Sequence, residues 1–153
     1  MTTGTYYTVL SLHLLGAAIW TGGHIVLAAR VLPRALRERK AALIQEFESA
    51  YERIGLPALV IQLLTGLALA HRILGAPANW LGDGGMARMV QLKLLLLVGT
   101  VALAIHARLW LIPRLRDDNL HPLGWHIRGV TVLAVLFVLA GGSLRLGGFP
   151  LFH

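Results

Sequence analysis

The sequence predicts an all-α membrane protein, a bundle of four transmembrane helices, from two observations. The first is composition: 56% of the 153 residues are hydrophobic and 14% are charged, against about 25% charged in soluble domains. The second is distribution, because the apolar residues form four stretches separated by charged or Gly- and Pro-rich breaks. We therefore treat residues 1–153 as one membrane domain with spans over about 6–32, 54–74, 89–112 and 126–146.

Each stretch has roughly the 20 residues that ~30 Å of hydrocarbon requires. No water satisfies backbone groups inside a bilayer, so these spans must be helices. The chain has no cysteine, which excludes disulfides, thiolate metal sites and covalent c-type haem attachment. The net charge of +7 fits basic loops beside a membrane, and we expect the lipid bilayer, not a nucleic acid, as the partner.

Basic residues predict the orientation. Ten Lys and Arg flank the first and third connections, against three at the second connection and the end of the fourth span. Lys and Arg are enriched in cytoplasmic loops, so both termini are expected outside. Residues 34–52 mix Leu, Ile and Phe with charges, which indicates an interfacial helix or a cytoplasmic extension of the second span.

Histidines within the apolar stretches are the unusual feature. His13 and His24 in the first span are 11 residues apart, which places them within about 20° of one helix face and ~16 Å apart along it. Ionisable groups in a bilayer are costly and usually face the bundle interior. With the expected topology the polar residues form two layers: an outer one of His13, His71 and Lys93, and an inner one of His24, His106 and His126.

Two such layers are typical of two b-type haems stacked across a membrane, each iron held by histidines from different helices. All five of these histidines are candidate metal ligands. In the outer layer we expect His13 and His71 as a pair, with Lys93 neutralising a haem propionate or acting as a ligand. In the inner layer three imidazoles compete for two axial positions, and neutral imidazole also suits copper.

Several short motifs resemble two related families. LHLLGAAIWTGG (12–23) with LPR (32–34), YERIGLPAL (51–59) and QLKLLLLV (91–98) are similar to segments of the copper-resistance D (CopD) membrane family and of the HemJ-type protoporphyrinogen oxidases. HARLWLIPRL (106–115) is closer to the CopD branch.

The resemblance implies a membrane bundle, with haem b in the HemJ branch and copper handling in the other. His13 and Lys93 match the essential His and Lys of HemJ-type proteins, and His106 matches a histidine that follows this Lys in many members. The last helix opens on WHIRGVTV (125–132), where HemJ-type proteins have Asn-Glu-x-Pro.

Residues and resemblance together predict a membrane-integral b-type cytochrome with one or two His-ligated haems, two being favoured, for electron transfer or redox chemistry in the bilayer. Two alternatives stay open: a copper-transport or copper-resistance protein, and a tetrapyrrole (protoporphyrinogen) oxidase. Whether the protein is an oxidoreductase enzyme is left open, as are a quinone or redox-protein partner and a homo-oligomer. The expected location is the bacterial inner membrane, crossed several times.

Overall fold

The computed structural model describes residues 2–145. The predicted end of the fourth span at Leu146, and His153 at the terminus, lie outside the described residues. Within the described range the chain is helical, with short connections and no strand. The α-helices are α1 Thr3–Val26, α2 Leu32–Glu38, α3 Ala42–Leu74, α4 Gly85–His106 and α5 Leu120–Arg145.

Four helical segments in the described part of the chain are long and apolar enough to cross a membrane. They are Thr3–Glu38, Ala42–Leu74, Gly85–Arg114 and Leu120–Ser143, with mean hydropathies between 1.5 and 2.0. Large apolar side chains such as Leu64, Leu95 and Val98 are more than 60% exposed, as expected where lipid replaces water around the bundle. The predicted all-α, four-helix transmembrane bundle is confirmed.

We call the end of the bundle with residues 39–41 and 115–119 the inner end, and the end with residues 75–84 the outer end. At the inner end Arg39 adopts a left-handed φ of 51°, and the Asp117 carboxylate accepts a hydrogen bond of 2.7 Å from the Ala41 backbone N–H. The chain then enters α3, which is one continuous helix from Ala42 to Leu74. The basic segment therefore continues directly into the second apolar stretch.

Two π-helical turns, Leu27–Val31 and Ala107–Leu111, interrupt the first and third spans near the inner end. Each is followed within two residues by proline, Pro33 or Pro113. Proline has no backbone N–H and its ring clashes with the carbonyl four residues earlier. Widening the preceding turn relieves that conflict, and π turns of this kind are often found at functional sites.

Close helix contacts are made through small residues. A Cβ at Gly16 of α1 would lie 2.8 Å from the Ala58 carbonyl oxygen of α3, so these backbones touch. Contacts through Gly and Ala are common where membrane helices associate. Helix α1 also packs on α5, and α4 packs mainly on α5. A cluster of buried residues lies at the inner end and comprises Leu27, Leu32, Ala35, Ala41, Ile44, Leu120, Leu123 and Ile127.

Candidate functional site

His13 is held between α1 and α3. Its Nδ1 donates to the Gln62 carbonyl at 2.9 Å and lies 3.1 Å from the Thr65 hydroxyl. Gly66 provides the space, because a Cβ there would be 3.1 Å from the imidazole Cε1. A carbonyl can only accept, so Nδ1 bears the proton and the neutral ring keeps its lone pair on Nε2.

Lys93 places a positive charge in the same layer. Its Nζ would be 3.3 Å from a Cβ at Gly141 of α5, so the missing side chain leaves room for the ammonium. Between residues 2 and 145 no carboxylate forms an ion pair with Lys93. His13 and Lys93 lie ten and eight residues after the first residues of α1 and α4, so both are at a similar depth from the outer end.

His71 is exposed in the last turn of α3. Among the described residues no hydrogen bond or ring contact joins it to His13. The structure thus does not bring together the two histidines that the sequence suggested as an outer pair, and that pairing stays a prediction.

His24 lies in an aromatic enclosure. Its Nδ1 donates to the Trp20 carbonyl at 2.9 Å, its ring is 4.5 Å from the Trp20 ring, and it meets the Tyr51 ring edge-on at 6.1 Å. Tyr51 also donates its hydroxyl to the Ile19 carbonyl at 2.8 Å. Nδ1 is again the protonated nitrogen, which leaves Nε2 as the ligating atom.

His106 and His126 are neighbours across α4 and α5. Their ring centres are 5.4 Å apart with planes tilted by 32°, and Trp110 lies 5.6 Å from the His106 ring. His126 donates Nε2–H to the Leu103 carbonyl at 2.7 Å, so its lone pair is on Nδ1. The structure brings these two inner histidines together directly.

The separation of the two rings fits one shared metal ion. With metal–nitrogen bonds of about 2.0–2.1 Å, two imidazoles on one ion have ring centres about 5–6 Å apart when the angle at the metal is bent. Metal-bound histidines commonly donate their other N–H to a carbonyl, as His126 does. Among the described residues, no third His, Cys, Asp or Glu side chain joins the pair to form a three-ligand group.

A cavity of about 420 Å³ adjoins His106 at the inner end. His106 is exposed, and His126 beside it is half-buried. The cavity is lined by His106, Trp110, Leu111, Arg114, Leu115, Asn119, Pro122 and Leu123.

The inner-layer histidines of α1 and α4, His24 and His106, each lie just before a π turn. His106 immediately precedes Ala107–Leu111, and His24 is three residues before Leu27–Val31. Sequence reasoning did not identify these turns, although each Pro-Arg pair marks one. It also missed Gln62, whose Oε1 is buried without a hydrogen-bond partner beside the His13 contact. A glutamine in the middle of an apolar stretch was the available signal.

A family model described as copper resistance protein D matches residues 45–144, which is most of the chain. The protein belongs to the copper resistance protein D family. The predicted CopD resemblance is thereby confirmed, whereas the relation to HemJ-type oxidases stays a prediction. The CopD match includes His71, Lys93 and the His106–His126 pair but not His13 or His24. Neither the curated proteins nor the solved structures contain a significant match.

Proposed function

We propose that this CopD-family protein handles copper in the membrane, and that His106 and His126 bind the copper ion as cargo. The single observation that supports this site most is the 5.4 Å separation of the two rings. Membership of the copper resistance protein D family supports copper as the metal, and imidazole is a suitable copper ligand.

The partial ligand set favours transient binding. A structural metal site is closed by four protein ligands, whereas this pair provides two, and His106 lines an open cavity. Two imidazoles bind an ion while leaving positions through which it can be passed on. This suits a protein that transfers or exchanges copper better than one that stores it.

The remaining intramembrane histidines extend the proposal towards the outer end. His24 and His13 each present a free Nε2 from α1, about 16 Å apart along that helix. Copper that leaves the inner pair would meet these imidazoles as further single ligands within the bilayer. Lys93 in the outer layer opposes cation passage unless an anion accompanies the copper or the lysine is neutral.

The test is a Cu(I) titration of the purified protein against a chromogenic chelator. Replacing either His106 or His126 by Ala removes half of the ligand set and should weaken binding at least about tenfold, since a tenfold change corresponds to only 1.4 kcal/mol. His121→Ala is the matched control, because His121 is exposed in the first turn of α5. Full copper affinity in both pair variants would contradict the proposal.

The b-type cytochrome is the second candidate, favoured by His13 and His24. Each has Nδ1–H fixed on a carbonyl, the tautomer that an axial ligand needs. His13 would hold an outer haem with its propionates near Lys93, and bound haem would supply one-electron transfer. His106 and His126 are too close to lie on opposite faces of one macrocycle, since rings opposed across the iron would be about 6.3 Å apart.

A visible spectrum of the reduced, purified protein separates the two candidates. Bis-histidine haem gives sharp bands and copper bound to imidazole does not. Bands that disappear in His13→Ala or His24→Ala but persist in His121→Ala would establish the cytochrome and displace copper handling as the leading function.

A further inference from the structure

We propose a binding site for an anionic phospholipid at the inner end of the bundle, in a cavity between α2 and the start of α3. The cavity has a volume of about 560 Å³. It is separate from the histidine layers and is lined by Arg30, Val31, Arg34, Arg37, Glu38, Leu43, Glu46 and Phe47.

One side of the lining carries the three arginines and Glu38, and the other carries Leu43, Phe47 and Glu46. Arg30, Arg34 and Arg37 are spaced by four and three residues, which aligns them on one helix face. The side formed by the start of α3 consists of Leu43, Glu46 and Phe47. Their spacing of three and one residues places them on one face of that helix. The turn at Arg39 brings the two faces together.

The cavity lining carries three arginines and two carboxylates, Glu38 and Glu46, so one positive charge remains in excess. Arg34 Nε is paired with Glu38 at 2.8 Å, and Glu38 is also 3.8 Å from Lys40. Within the described chain neither Arg30 nor Arg37 forms an ion pair. Two exposed guanidinium groups are therefore available to an anion, and guanidinium binds phosphate oxygens in a bidentate manner.

The apolar wall distinguishes a lipid from a free anion. Val31, Leu43 and Phe47 are each half-buried beside the arginines, and the site lies where the first apolar span ends. A phosphodiester between Arg30 and Arg37 would place an acyl chain along this wall. Basic pockets between membrane helices are known to bind anionic head groups.

The experiment is native mass spectrometry of the full chain, released from detergent with phosphatidylglycerol or phosphatidylcholine of equal chain length. We expect one phosphatidylglycerol to remain bound at concentrations where phosphatidylcholine does not. Arg30→Gln with Arg37→Gln should lower its apparent affinity about tenfold, the equivalent of one charged hydrogen bond. Arg53→Gln with Arg116→Gln removes the same charge from exposed positions outside the cavity and should leave the affinity within twofold.

Three results would overturn the proposal. Equal retention of the two lipids would show that charge is not recognised, and equal losses in the two double variants would reduce the effect to surface charge. Displacement of the lipid by millimolar inorganic phosphate would make the cavity a site for the free anion instead. Circular dichroism of both double variants checks that the helices are intact.

Discussion

At single positions, the tightest constraint in the bundle surrounds the Tyr51 ring. A Cβ at Gly23 would collide with this ring, and a Cβ at Gly55 would be 2.6 Å from its Cε1. We expect Gly23→Ala to destabilise the protein by about 1–3 kcal/mol, as overpacking of a filled interior does. At Gly22 an added Cβ meets nothing within 4 Å, so Gly22→Ala should be neutral or stabilising by up to about 1 kcal/mol. Thermal midpoints in detergent measure both, and equal midpoints would contradict the packing.

The candidate site was predictable from the sequence where its residue types are unusual for a membrane span. A histidine or lysine in an apolar span is expensive, so His13, His24 and Lys93 could be located without coordinates. Their hydrogen-bond partners could not, because the Gln62 and Leu103 carbonyls that orient His13 and His126 are backbone atoms. Any residue type provides them, so no sequence pattern marks them.

Among the helices, an exposed ion pair connects α3 to the π turn after α4. The two terminal guanidinium nitrogens of Arg108, Nη2 and Nη1, contact the Glu52 carboxylate oxygens at 2.8 and 3.0 Å. The side chains of Arg108 and Glu52 are 62% and 35% exposed, so we expect a coupling energy of about 0.2–1 kcal/mol. A double-mutant cycle with Glu52→Gln and Arg108→Gln, followed by denaturation in detergent, measures it. Coupling indistinguishable from zero would mean that the contact does not stabilise the bundle.

The same π turns show where helix-level prediction ends. Pro33 and Pro113 could be recognised as interruptions near the ends of their spans. Whether such an interruption ends the helix, bends it or widens it depends on what packs around it. Leu27, the first residue of the first π turn, and Leu32, which directly follows that turn, are both buried in the inner cluster. Their burial is a tertiary condition that local sequence does not contain.

For the complete bundle, prediction of helix number and type succeeded because hydrocarbon thickness sets a length that can be counted. Which residues of neighbouring helices pack against each other was harder to predict. The sequence placed His71 opposite His13 because consecutive helices run antiparallel, whereas the structure packs His13 onto residues 62–66 of the same partner. The choice between those registers depends on close contacts such as Gly16 with Ala58, which polarity and depth do not determine.

The orientation of the bundle is the remaining prediction, and the composition makes it unusually testable. The chain has no cysteine, so a single introduced cysteine is the only thiol that a maleimide can label. Lys40 and Asp83 are exposed at opposite ends of the bundle. Basic residues favour the cytoplasmic side, so Asp83→Cys should react with a membrane-impermeant maleimide in intact cells. Lys40→Cys should react only after the membrane is opened, which also serves as the control that its thiol is accessible. The reverse pattern would invert the bundle, placing the His106–His126 pair and the arginine-lined cavity on the outer side.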